Sequence, residues 1–152
     1  MKTRHLFIAA FAVSVLLCAG TVVEAEEGSG MDYFMTVESE SVEIGGNSVV
    51  RSKSTGFVTG DAPFNMINQT CFGTQVTAAD GTVSLNGHCD GYDADGDIYG
   101  NSYSGDATGG TWKFTGGTGK FAGIKGGGSW KAGHAFADGK WTAAWQGSWE
   151  KD

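Results

Sequence analysis

Three aspartates alternate at Asp93, Asp95 and Asp97, with Asp90 close by. Carboxylates at positions one, three and five are how a calcium loop begins. Such a loop goes on to a glycine at its sixth position and a bidentate glutamate at its twelfth. Here those positions are Ile98 and Ser104. A calcium site of another kind, completed by Asp90 or a backbone carbonyl, stays open as an alternative metal reading of these residues. A solvated acidic turn with Asp95-Gly96 at its tip is preferred. Further on, GGTGK at 116–120 invites a phosphate-loop reading and fails on spacing. That loop wants glycine five residues before its Gly-Lys pair and Ser or Thr after it; the chain has Phe114 and Phe121. The glycines there are read as turns or bulges, with Phe121 and Ile124 packing inward. Two histidines lie beyond the N-terminal stretch, His88 and His134, with no Gly-x-Ser-x-Gly elbow and no His-x-x-x-His pair. A general base needs a partner within hydrogen-bond reach, so no catalytic residue is assigned.

Cys71 and Cys89 flank Asp80-Gly81 symmetrically. Asp-Gly between β-forming runs is a hairpin signal, and a hairpin folded there sets the two cysteines opposite each other. A Cys71–Cys89 disulfide is the favoured reading; free thiols and a two-ligand metal pair are the alternatives. The closed loop of about 18 residues is worth ~3 kcal/mol in chain entropy. The N-terminus supplies an oxidising context. Lys2 and Arg4 precede an apolar run over residues 6–19, too short for a stable membrane span, and Val23-Glu24-Ala25 offers a cleavage site. The reading is a signal peptide at 1–25, a flexible start at 26–30, and one domain over 31–152. The protein is then secreted or periplasmic, with no stable membrane anchor and Cys18 lost with the signal.

The chain carries 17 acidic and 10 basic residues, a net charge of −7. Loss of Lys2, Arg4 and Glu24 leaves −8. A domain of that sign repels phosphate backbones, so no nucleic-acid partner is expected. Short β-rich runs, separated by turn signals about every ten residues, point to an antiparallel barrel, with a sandwich as alternative. The clearest run is 141–150. Trp141, Ala143, Trp145, Gly147 and Trp149 share one face; Thr142, Ala144, Gln146, Ser148 and Glu150 share the other. Spacing by four also places the tryptophans on one helix face, but Gly147, Thr142 and Ser148 are weak helix formers. Large-small-large alternation suits the inside of a small barrel. Beyond the signal the one leucine is Leu85. Aromatic residues must therefore fill the core or line a pocket, and Trp112, Phe114, Trp130, Trp141, Trp145 and Trp149 are the candidates.

GHCDGYDADGD at 87–97, a following strand, and FTGGTGKFAGIKG at 114–126 resemble a pattern shared by small exported bacterial proteins of mostly unknown function. Those proteins are similar to the antiparallel barrel of allene oxide cyclase and dirigent proteins. The resemblance implies a single all-β antiparallel barrel that can associate into dimers or trimers. Plant members of that superfamily act on reactive hydrophobic intermediates, a cyclising oxylipin or phenoxy radicals. None of their active-site residues aligns here.

The sequence therefore gives an exported, non-catalytic β-barrel that binds a small hydrophobic molecule or serves an envelope or surface interaction. No cofactor is expected. An isomerase or cyclase acting on a reactive hydrophobic substrate is the first alternative. A carbohydrate-binding module, displaying tryptophans outward, is the second.

Overall fold

A computed structural model describes residues 24–151; the signal-peptide reading rests mainly on residues 1–23 and lies outside them. Eight strands follow in order: β1 Glu26–Ile44, β2 Asn47–Gly60, β3 Ile67–Thr77, β4 Val83–Tyr92, β5 Ile98–Gly105, β6 Gly109–Gly117, β7 Ile124–Ala135 and β8 Lys140–Lys151. Each strand pairs antiparallel with its chain neighbour, and β8 pairs back onto β1, closing a barrel. Closure removes the sheet edges that would otherwise template association. Four tight turns gather at one end, with left-handed glycines such as Gly45, Gly81 and Gly139. Three longer loops, 61–66, 93–97 and 118–123, gather at the other. The β1–β2 hairpin outruns β8. β1 leaves β8 after Met35↔Lys140 but stays with β2 to Ile44↔Asn47.

Residues 26–30 are strand and not the flexible start expected of a polar, glycine-rich segment. They pair with Trp149 through Trp145 of β8. Gly30 is what permits it. A Cβ there would strike the Thr59 carbonyl and the Trp145 ring. In β8 the two-residue alternation holds: Ala143, Trp145 and Trp149 are buried, and Ala144, Gln146, Ser148 and Glu150 are exposed. In β1 the polarity is inverted. Tyr33, Met35 and Val37 face outward, and Tyr33 stacks on Phe57 of β2 across the outer surface.

The loop end is sealed by aromatic packing. Phe64, from loop 61–66, turns into the barrel and is 3 % exposed. Its ring lies 4.8–6.0 Å from those of Tyr99, Phe114, Phe121, Trp145 and Trp149. Phe121 and Ile124 pack inward as the sequence implied, Phe121 from a 3₁₀ turn at Gly119–Phe121. Trp149 keeps its indole N–H satisfied by donating to Glu26 Oε2 at 2.9 Å. A second, smaller cluster of Phe34, Cys71 and Cys89, with Tyr103 and Trp141 against it, lies toward the turn end.

Candidate functional site

Between the aromatic seal and the tight turns the barrel is not filled. A cavity of about 450 Å³ remains, within the range of small-molecule sites. Its apolar wall includes Phe34, Trp112, Phe114, Trp130, Trp141 and Trp145. Leu85, Ala107, His134 and Ala135 stand toward the turn end, where the cavity opens. Trp112, Phe114, Trp130, Trp141 and Trp145, all singled out in the sequence, therefore meet on one cavity. Trp149 does not join them; it belongs to the seal.

The disulfide forms as the hairpin geometry required. Cys71 and Cys89 are register partners with Cα atoms 4.0 Å apart, bonded to each other and buried in the barrel wall. Tyr103 lies close by. Its hydroxyl occupies the space over Gly73 and Gly87, where a Cβ would collide with it.

Four polar groups of the cavity pair among themselves. Gln69 Nε2 donates to the Tyr99 hydroxyl at 3.2 Å. The Thr36 and Ser54 hydroxyls lie 3.3 Å apart. The indole N–H groups of Trp130 and Trp145 lack acceptors, but both nitrogens are sealed inside the wall and reach neither cavity nor solvent. Asp32 differs. It projects inward from β1, between Val58 of β2 and Ala143 of β8, and its carboxyl has no hydrogen-bond or ion-pair partner among the described residues. Asp32 keeps part of its surface exposed, and it lines the cavity. Burial pushes its pKa from 3.8 up to about 7. Burial likewise raises Tyr99, and the charge of Asp32 adds to that rise; Tyr103 is raised by burial too. Both phenols keep their protons at neutral pH.

Asp93, Asp95 and Asp97 lie outside this site. Asp93 Oδ1 accepts the backbone N–H groups of Asp95 and Asp97 at 2.9 and 3.0 Å, and its Oδ2 pairs with the Lys120 ammonium. Asp97 Oδ2 accepts the Lys120 N–H at 3.0 Å. The Lys120 contact, with the turn's own N–H groups, holds the Asp93 carboxyl below the usual carboxylate range. The acidic turn thus clasps loop 118–123. Among the described residues no three His, Cys, Asp or Glu side chains converge in a way that could hold a metal ion. His88 stacks on Phe72 outside the barrel, and His134 stands at the cavity mouth.

Sequence reasoning missed Asp32, Phe64, Gln69 and Tyr99 as a set. Tyr99, Asn101 and Tyr103 share the inward face of β5. Asp32 gave no signal, because a lone aspartate among outward apolar residues reads as surface.

Neither family models nor curated proteins give a match to the chain. Solved structures do. The pterocarpan synthase dirigent protein GePTS1 superposes with a TM-score of 0.55 at 14 % identity, over 95 % of this chain and 100 % of its own. The pterocarpan synthase dirigent protein PsPTS1 superposes with a TM-score of 0.55 at 11 % identity, over 84 % and 96 %. The barrel has the dirigent fold. At these identities the likeness extends to the fold alone, in agreement with the resemblance carried by residues 87–126.

Proposed function

We propose that this protein holds a small hydrophobic molecule inside its barrel. The observation that carries the reading is the 450 Å³ aromatic cavity, left open although the same chain seals the adjacent end with five rings around Phe64. A barrel built only for stability gains by filling such a space, since each buried methylene contributes ~0.8 kcal/mol. Tryptophans displayed outward, as a sugar-stacking platform needs, are not found at Trp141, Trp145 or Trp149. The buried Cys71–Cys89 bond fits an oxidising compartment. No helix among the described residues is long and apolar enough to cross a membrane. Both are compatible with a secreted or periplasmic protein.

A neutral probe, 2-naphthylmethanol, tests the reading by calorimetry. One-to-one, saturable binding is expected. Ala143→Phe, which projects a ring into the cavity, should weaken it at least tenfold, a loss of ~1.4 kcal/mol. Undiminished binding by Ala143→Phe would place the probe elsewhere and defeat the reading.

A second reading, an isomerase or cyclase, is favoured by one observation. Asp32, with a pKa of about 7, can both give and take a proton near neutral pH, in a water-poor cavity beside the Tyr99 hydroxyl. The neighbours in structure include two pterocarpan synthases by name, which makes chemistry in such a barrel conceivable without assigning it here.

A further inference from the structure

The cavity holds one acid and nothing to neutralise it. Its lining contains no lysine, arginine or glutamate. The titratable groups that face it are Asp32 from β1, Tyr99 and Tyr103 from β5, and His134 from β7 at the mouth; Cys71 and Cys89 are locked in their disulfide. The strands flanking Asp32 offer Val58 and Ala143, which are apolar. Asp32 is the one carboxyl on the cavity and has no partner among the described residues, so it is the anionic group open to a ligand. Trp112, Trp130, Trp141, Trp145, Tyr99 and Tyr103 line the same cavity, and the negative face of an aromatic ring attracts a cation. The whole chain is acidic, which favours the approach of cations over anions.

We propose that the ligand class of this barrel is the lipophilic amine: an apolar, ring-sized body on the aromatic wall, with its ammonium group against Asp32. The proposal rests on the hydrophobic-ligand reading above and adds the charge of the ligand to it. An anionic ligand would set a second negative charge beside Asp32. A neutral one would leave the ionised carboxylate without a counter-charge. An ammonium supplies the missing charge and its hydrogen-bond donors together. The desolvation of Asp32, the usual obstacle to a buried ion pair, is already borne by the folded protein.

The test compares 2-naphthylmethylamine with 2-naphthylmethanol, which share a carbon skeleton. Calorimetry on the disulfide-bonded protein at about pH 8, where Asp32 is ionised, should give the amine about tenfold or greater preference. The preference should shrink at about pH 5.5, where Asp32 holds its proton. Near pH 7 the unliganded carboxyl is about half protonated, so amine binding should release about half a proton, read by repeating the titration in buffers of different ionisation heat. Asp32→Asn should lose both the preference for the amine and the proton release. Equal affinity for the two probes at pH 8, or a preference that survives Asp32→Asn, overturns the amine proposal. In that case alcohol binding still stands for a hydrophobic-ligand barrel. Binding of neither probe removes both readings.

Discussion

An aspartate in water titrates near 3.8, and Asp32 keeps its proton to about 7 because burial disfavours its charge. The sign of the consequence follows from proton counting. Below 3.8 both folded and unfolded chains hold the proton, and Asp32 is neutral to stability. Between 3.8 and about 7 the folded chain holds it and the unfolded chain does not, so stability falls as pH rises. Above 7 the penalty is constant, at ~2–4 kcal/mol once water in the cavity is allowed for. Asp32→Asn should therefore raise unfolding stability by that amount at about pH 8 and change it little at about pH 3.5, in urea titrations monitored by tryptophan fluorescence. No gain at pH 8 would mean that the carboxylate is solvated after all. Asp80, Asp93, Asp106 and Asp138 act in the opposite sense. Hydrogen bonds hold their pKa values down, so they support the fold at neutral pH and lose that support in acid. Asp32 thus works against folding at a place where it lines the cavity. The sequence could not show this, because burial is what distinguishes Asp32 from the other aspartates.

Among the elements, β8 and the β3–β4 hairpin were legible, and β1 and loop 61–66 were not. The period-two face of β8 is unambiguous because each inward large residue is separated by outward polar ones. The hairpin was legible because Asp80-Gly81 fixes the turn and the register then follows, down to the Cys71–Cys89 pair. Apart from Phe34, β1 carries its large apolar residues on the outside and a carboxylate within, which blurs the pattern that reveals a strand's inner face. Loop 61–66 has no period at all, so nothing in the chain announces that Phe64 closes the barrel. It does so by packing against five rings, each such pair adding ~0.5–1.5 kcal/mol beyond area burial. Phe64→Ala should cost ~3–5 kcal/mol. It should also join the seal to the cavity, and a larger probe than naphthalene should then enter. Loss of stability below about 1 kcal/mol would show that the seal is made by other residues.

For the whole molecule, alternation and turn spacing indicated an antiparallel barrel, and the motif at 87–126 narrowed it to the dirigent-like form now seen. What the chain could not disclose is that the barrel is incompletely filled. The same six aromatic residues serve equally as core or as pocket wall until the register places Trp149 in the seal and the others around the cavity. A closed, disulfide-braced wall around an apolar space with one unpaired acid is the arrangement from which the ligand reading grows. The most direct test is native mass spectrometry of the protein purified without denaturant from the cells or medium that make it. The account predicts a complex one small molecule heavier than the bare chain, which collapses to the bare mass on mild denaturation and frees an amine. A bare mass throughout, in protein that also takes up no 2-naphthylmethanol, would contradict the account.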